Sequence, residues 1–168
     1  DGSVRTGTGE QAGWTAKLPA APSAAARPAR AGDAAVFACA DGSIVALGAN
    51  GAQLWAAKDT GAPLGAAADG SRVVAALSKK LLRCYDLKTG STLWSAEIGG
   101  DAAAAPAAAE GVVLIPCDDG VVRAFDGATG SVLWVFRAGS RMRAAPVPAR
   151  DAMVFGGDDG NVFAVPWK

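Results

Sequence analysis

The chain has 168 residues, of which 51% are hydrophobic and 19% charged, and its 16 basic and 16 acidic residues leave no formal net charge. That length can bury a sizeable core. The balanced charge, with no basic stripe, argues against a nucleic-acid partner, and no apolar run approaches the ~18 residues of a membrane span. Histidine is absent, which removes the most common general base and the usual zinc ligand.

The first third of the chain already contains strand and turn signals. Residues 16–31 are rich in Pro and Ala, and we interpret them as a loosened inner strand or a partly ordered linker. Beyond them, Asp41-Gly42 separates two apolar runs, the second of which is Ile44-Val45-Ala46-Leu47. Asp-Gly in this setting predicts a tight hairpin, for which we expect a type I′ turn with positive φ at both central residues.

The same order of elements returns along the chain. The Asp-Gly turn recurs at Asp119-Gly120 and Asp159-Gly160, and Lys79-Lys80 takes its place in the second copy. The apolar runs are short, rich in Val, Leu and Phe, and broken every eight to twelve residues by Gly, Asp or Pro. No stretch repeats apolar residues at helical spacing. Each copy therefore predicts a four-stranded antiparallel meander.

Evenly spaced tryptophans define the period. They are Trp14, Trp55, Trp94 and Trp134, and their gaps are 41, 39 and 40 residues. A fixed period near forty residues indicates one supersecondary unit copied in tandem, which must bury its apolar face against its neighbours. We therefore treat 1–168 as a single repeat region, with repeats at 14–54, 55–93, 94–133 and 134–168 and a partial repeat at 1–13.

A small-residue element precedes the first strand of each copy. Ala-Ala-Pro ends at Pro106 and at Pro146, twelve residues after the tryptophan, and the same count leads to Ala67 and Ala26 in the earlier copies. Small residues suit strands crowded near a shared axis.

Two strings carry a family resemblance. DGVVRAFDGATGSVLW, from Asp119 to Trp134, resembles the repeat of pyrroloquinoline-quinone-type (quinoprotein-like) β-propellers, and YDLKTGSTLW, from Tyr85 to Trp94, is similar again. The resemblance implies an all-β fold, a β-propeller of four-stranded antiparallel blades. It also implies that Trp14, Trp55, Trp94 and Trp134 dock each blade against its neighbour, and that Thr-Gly forms the turn before the tryptophan.

The number of repeats leaves the ring open to three interpretations. The resemblance implies seven or eight blades in a closed ring, whereas this chain holds about four repeats. It is then a partial ring belonging to a longer polypeptide, a half-ring that dimerises, or a closed four-bladed ring. In the last case the strand from Thr8 to Trp14 would complete the final blade.

The three cysteines are expected to be free thiols. Cys39, Cys84 and Cys117 lie one per repeat, and equivalent positions two blades apart should exceed the ~7 Å that a disulfide tolerates between Cα atoms. Buried Cys also serves simply as a small apolar residue. Unpaired thiols slightly favour the cytoplasm, while a periplasmic location stays open.

Arg141 and Arg143 form the most distinctive polar pair. A spacing of two along a strand would point both toward one surface, and the equivalent slots of the preceding repeat hold Asp101 and Ala103. If this strand lines the central channel, the arginines make a positive spot at its mouth beside Asp101, suited to an anion or a peptide carboxylate. An Arg–Asp ion pair between blades or a solvated rim is the alternative.

We predict neither a catalytic site nor a metal site. The Asp-Gly aspartates sit in separate hairpins, whereas calcium needs six to eight oxygens converging on one ion. Quinoprotein dehydrogenases, as a family, hold the quinone with calcium ligands, a stacking tryptophan, a basic residue and a catalytic aspartate, and no matching constellation is found. Trp167 is the one tryptophan outside the repeat pattern. We therefore expect no cofactor.

These features favour a non-catalytic propeller module that contacts a protein partner or a neighbouring domain of the same chain. Cys39-Ala40-Asp41-Gly42 and Cys117-Asp118-Asp119-Gly120 resemble the propeller of β-alanine-activating adenylating enzymes, and the outer-membrane assembly lipoproteins with this repeat have a related binding role. The alternatives are a fragment of a quinone-dependent dehydrogenase and a self-assembling half-propeller, which would form a homo-oligomer.

Overall fold

The computed structural model describes residues 3–8, 11–23, 27–59 and 61–166, with the backbone alone for 3–8, 11 and 12. The described residues contain seventeen strands and no helix. In chain order the strands are β1 Ser3–Thr8, β2 Gln11–Lys17, β3 Ala29–Ala31, β4 Ala34–Ala38, β5 Ser43–Leu47, β6 Gln53–Lys58, β7 Pro63–Asp69, β8 Arg72–Leu77, β9 Leu81–Asp86, β10 Thr92–Glu97, β11 Ala107–Ala109, β12 Val112–Pro116, β13 Val121–Asp126, β14 Val132–Arg137, β15 Val147–Pro148, β16 Ala152–Gly156 and β17 Val162–Pro166.

The strands form a row of antiparallel sheets. The first, second and third blades have four strands each, β3–β6, β7–β10 and β11–β14. The fourth blade has three described strands, β15–β17, and the N-terminal sheet has two, β1–β2. The inner strands β3, β7, β11 and β15 contact one another in sequence. The prediction of an all-β propeller with four-stranded antiparallel blades is therefore confirmed. The tryptophans lie inside the outer strands, so repeat boundaries placed at them cut through blades.

The ring is partial. β2 pairs with β1, with Trp14 opposite Thr6, and β17 has no further neighbour among the described strands. The N-terminal sheet and the fourth blade remain separate sheets. Of the three interpretations, the closed four-bladed ring, in which the strand from Thr8 to Trp14 would complete the last blade, is wrong, because β1 already occupies the edge of β2 that such closure would need.

The core lies between adjacent sheets. Val36 of the first blade packs in one buried cluster with Val73 of the second, and further clusters join the second blade to the third and the third to the fourth. Leu18, just after β2, is buried against Phe37 of the first blade. Removing such side chains from water contributes about 1.5–3 kcal/mol each, so neighbouring blades stabilise one another.

The Asp-Gly turns differ from the predicted type. Gly42, Gly120 and Gly160 have positive φ, but the preceding aspartates do not. The carboxylate of Asp119 accepts a hydrogen bond from the backbone N–H of Val121, and Gly120 N–H donates to the carbonyl of Cys117. These are three-residue loops whose glycine takes the left-handed position. The type I′ prediction is therefore wrong for these turns. Positive φ at both central residues occurs instead at Glu110-Gly111 and at Lys79-Lys80, which takes the place of Asp-Gly in the second copy.

The strand register corrects the alignment of the small-residue element. Ala107 pairs with Leu114 directly after Pro106, and Ala29 pairs with Val36 directly after Pro28. Pro28, not Ala26, is therefore the counterpart of Pro106, because the first repeat has two extra residues before its inner strand. By the same register Ala66, not Ala67, occupies this position in the second blade.

Candidate functional site

A groove of about 620 Å³ runs along the inner strands. Its walls are the segments that lead into those strands, chiefly 102–106 and 143–147. Most of the lining side chains are Ala or Pro, two are arginines, Arg27 and Arg143, and none of the described ones is acidic. The groove combines small apolar walls with two cationic groups.

Close packing of the inner strands explains the small side chains. A Cβ added at Gly65 of the second blade would overlap the Cβ of Ala105 in the third. Gly65, Ala105 and Ala145 share one register position, directly before Ala66, Pro106 and Pro146. The first blade places Arg27 at this position. Arg27 is thus a long cation where the other blades have a hydrogen atom or a methyl group.

Arg143 is anchored within its own blade. Its Nε donates to Oδ2 of Asp158 at 2.8 Å, and its side chain remains 73% exposed. The hydrogen bond to Asp158 raises the pKa of Arg143. Because only Nε is used, the Nη1 and Nη2 groups remain as a pair of donors with the geometry that a carboxylate accepts. Arg27 forms no ion pair with any described residue.

The three residues predicted to lie at the channel mouth do not line one surface. Arg143 lines the groove, whereas Arg141 and Asp101 are exposed and do not. The carbonyl of Arg141 accepts from Asp158 N–H, and the carbonyl of Asp101 accepts from Asp118 N–H. Residues 141–146 form no strand, so same-face spacing does not apply there. Arg27 was missed because its register position is visible only once the two extra residues of the first repeat are placed.

The predicted docking tryptophans reach across blade boundaries. Trp55 Nε1 donates to the carbonyl of Leu87 at 2.6 Å, and Trp94 Nε1 donates to that of Gly127 at 3.0 Å. Trp14 makes the matching bond to Ala49 at 2.8 Å. Trp134 packs against the cluster between the third and fourth blades. One repeat later, the carbonyl equivalent to that of Gly127 belongs to Trp167, which lies outside the described residues.

A glycine lies beneath the indoles of Trp14, Trp55 and Trp94. A Cβ at Gly130 would come within 2.6 Å of the Trp94 ring, and a Cβ at Gly90 within 2.7 Å of the Trp55 ring. Both glycines have positive φ, 74° and 72°. Asp126 fixes the third-blade turn by accepting three hydrogen bonds at Oδ1 from Ala128 and Thr129. These bonds, led by the Thr129 N–H, lower the pKa of Asp126.

A buried polar cluster joins the first and second blades. The Asp59 carboxylate accepts from Arg83 Nη1 and from the Tyr85 hydroxyl, both at 2.7 Å. Burial first, and then the Asp59 carboxylate, raises the pKa of Tyr85. The Tyr85 ring stacks on Trp55 with centroids 5.9 Å apart. A charged residue therefore crosses this blade boundary.

The boundary between the second and third blades is apolar at the same place. Ile98 occupies the position of Asp59, four residues after the tryptophan, and packs in a cluster with Phe125, the counterpart of Tyr85. Arg123, the counterpart of Arg83, pairs instead with Asp119 at 2.7 Å. The second blade has Lys79 where the third has Asp119, so Arg83 receives its carboxylate from the first blade.

The thiols are buried and unpaired, as predicted. Burial is the largest cause that raises the pKa of Cys39, Cys84 and Cys117, to about 11 for Cys84. The described residues contain no cluster of three or more His, Cys, Asp or Glu side chains that could hold a metal ion. They also contain no helix long and apolar enough to cross a membrane.

Comparison with protein families matches residues 40–168 to the family described as "Outer membrane protein assembly factor BamB". The chain belongs to this family. The match supports the pyrroloquinoline-quinone-type repeat, and nothing in it supports the narrower resemblance to β-alanine-activating adenylating enzymes. No curated protein sequence matches the chain.

Solved structures share the fold. BamB from Moraxella catarrhalis superposes with a TM-score of 0.78 at 20% identity, over 97% of this chain and 55% of that one. The computationally designed Ika4 protein gives 0.74 at 22% identity, over 90% of this chain and 96% of Ika4. BBS1N, solved in complex with ARL6DN, gives 0.68 at 15% identity, over 80% of this chain and 47% of that one. The chain thus spans about half the length of the BamB chain.

The described residues do not fit the quinone that the repeat is named after. None of the described residues that line the groove is acidic, so none of them can hold a calcium ion or act as a carboxylate base. The indoles of Trp14, Trp55 and Trp94 lie on turn glycines of neighbouring sheets, so none of these three is available as a stacking plate in the groove.

Proposed function

We propose that this BamB family member is a non-catalytic propeller module whose inner groove binds a polypeptide segment of a partner protein or of a neighbouring domain. The observation that carries the proposal is the groove itself. It is about 620 Å³ in volume, within the ~300–1,000 Å³ range of ligand pockets, and it joins a small apolar wall to a few fixed polar groups.

The chemistry of the wall favours binding over catalysis. The groove presents methyl groups and guanidinium groups, which hold a ligand but do not act as nucleophile or base at neutral pH. Blade-to-blade packing fixes the inner strands, so the segments beside them are held on a rigid frame. The matched family is described as an assembly factor, and one structural neighbour was solved in a complex with another protein, both of which agree with a binding role.

Site-specific photocrosslinking tests this function. A benzophenone amino acid replaces Ala144, an exposed groove residue, or Thr92, an exposed residue of β10 used as the matched control. Each variant is irradiated with a defined set of twelve-residue peptides of acidic, basic and neutral composition. We expect saturable crosslinking from position 144 and none from position 92. Equal labelling at both positions, or none with every peptide, would contradict a peptide-binding groove.

A second copy of the chain is the other partner that one observation favours. Within the described residues, β17 has no neighbour on its outer edge, and Val162 on that strand is 73% exposed. An unpaired strand edge is a template for pairing with another chain. Light scattering after size exclusion measures the mass in solution: a dimer supports self-assembly, whereas a monomer across the micromolar range excludes it.

A further inference from the structure

We propose that the groove selects acidic segments, with Arg27 and Arg143 as the residues that recognise the carboxylates. This inference rests on the proposed function and adds the chemistry of the partner. The two arginines belong to the first and fourth blades, and Ala and Pro side chains line the groove between them. A short extended segment lying in the groove would therefore pass from one guanidinium group to the other.

The charges in the groove are unbalanced. Arg27 forms no ion pair with a described residue, and Arg143 commits only Nε to Asp158. No acidic side chain among the described residues lines the groove, although the chain as a whole has no net charge. A local excess of positive charge on a neutral chain is complementary to carboxylates, and guanidinium groups bind carboxylates in a bidentate manner.

The backbone adds further donors. The N–H groups of Ala104, Ala105, Ala144 and Ala145 donate no hydrogen bond to another described residue. These residues line the groove. Backbone N–H groups in irregular segments can serve as anion or carbonyl partners. The walls contain no aromatic ring among the described residues, so they lack the stacking surfaces that single-stranded nucleic acid uses, which favours a peptide.

Asp158 acts as a competitor in this arrangement. Its carboxylate already holds one edge of Arg143 at 2.8 Å, and a ligand carboxylate must share or displace it. Asp158 is therefore a residue whose removal should strengthen binding of an acidic peptide. A purely structural role for the Arg143–Asp158 pair gives no such gain.

Fluorescence anisotropy with labelled octapeptides tests the inference. The probes are an Asp/Glu-rich peptide, its Asn/Gln counterpart, a Lys-rich peptide and a uridine octanucleotide, at low and physiological salt. The variants are Arg27→Gln, Arg143→Gln, their combination and Asp158→Asn. Arg137→Gln on the outer strand β14 is the control with the same charge change. Circular dichroism and the urea midpoint confirm that each variant is folded.

We expect the acidic peptide to bind best and to lose affinity about five- to tenfold with each groove arginine replaced, which corresponds to ~1–1.4 kcal/mol because 1.4 kcal/mol is tenfold. Arg137→Gln should change affinity less than twofold, and Asp158→Asn should tighten it two- to threefold. Equal binding of acidic and neutral peptides, or no response to the arginine changes, overturns the inference but leaves a peptide-binding module. Tighter binding of the oligonucleotide also overturns it. Failure of every peptide removes the proposed function as well.

Discussion

The Asp59 cluster offers the sharpest test of how the blades are joined. Asp59→Ile introduces the residue that the next boundary uses, Ile98, into a site built for a carboxylate. Arg83 and the Tyr85 hydroxyl each lose a 2.7 Å hydrogen bond. The Arg83 side chain is 27% exposed, so water can reach part of the guanidinium group, whereas Tyr85 is buried.

The expected change in the free energy of unfolding follows from Arg83 and the Tyr85 hydroxyl, which lose their partner. An unsatisfied buried hydroxyl costs about 1–3 kcal/mol, and breaking a fully buried ion pair costs about 3–5 kcal/mol. Partial solvation of Arg83 lowers the second contribution, and the added apolar side chain offsets some of the loss. We expect Asp59→Ile to lower the free energy of unfolding by about 2–3 kcal/mol. Urea unfolding followed by tryptophan fluorescence measures it.

The third blade supplies the compensating changes. Adding Lys79→Asp and Lys80→Gly gives Arg83 a partner in its own blade, as Asp119 is for Arg123. Adding Tyr85→Phe removes the buried hydroxyl that Asp59→Ile leaves without this acceptor. The fourfold variant should recover stability to within about 1 kcal/mol of the parent chain, because it exchanges one complete boundary for another.

Two results would refute this reasoning. A loss below about 0.5 kcal/mol for Asp59→Ile would mean that the cluster is not coupled to stability. A fourfold variant no more stable than the single one would mean that the two boundaries are not interchangeable. Lys79→Asp/Lys80→Gly in the parent chain is the control for the turn alone, since Lys79 and Lys80 both have positive φ.

Three further predictions address the turns and the thiols. Gly130→Ala should cost about 2 kcal/mol or more, from left-handed backbone strain plus displacement of Trp94, whereas Gly111→Ala, with a similar φ and no atom within 4 Å, should cost about 1 kcal/mol in the same urea assay. The pKa values of Asp86 and Asp126 are lowered in the folded chain, so their stabilisation is present above about pH 4 and is lost as the pH falls through the folded pKa values. When the pH is lowered below about 4, the urea concentration at the unfolding midpoint should decrease, and it should decrease less steeply in the Asp86→Asn/Asp126→Asn variant. The three buried thiols should not react with Ellman's reagent at pH 8 in the folded chain and should all react in guanidinium chloride; a fast-reacting native thiol would contradict their burial.

The fold was predictable because its signals are local and repeated. The spacing of the tryptophans and the Asp-Gly turns fixes blade size, and apolar runs of strand length fix the secondary structure. Turn type was not predictable in the same way. Asp119 can hydrogen-bond Val121 N–H, which favours a three-residue loop over type I′, and the same dipeptide is compatible with both.

The candidate site was only partly predictable, because it depends on register between blades. Arg143 was identified from its spacing after Trp134. Arg141 does not line the groove with it, because residues 141–146 form no strand and side chains two residues apart need not share a face there. Arg27 enters the groove only because two extra residues shift the first inner strand, and sequence spacing from Trp14 places Ala26 there instead. A count from the hairpin that follows, ending at the Gly32-Asp33 turn, would have found Arg27.

Differences between the copies separate structural from functional substitutions. Asp59 replaces an apolar residue, but Lys79 replaces an acidic one nearby, so the two changes compensate within one boundary. Arg27 also replaces a small residue, yet no described carboxylate pairs with it. A repeat protein has no packing reason to keep an unpaired cation on a crowded axis. The compensated departure at Asp59 completes a boundary within the chain, whereas the uncompensated one at Arg27 is the departure on which the proposed binding of an acidic segment rests.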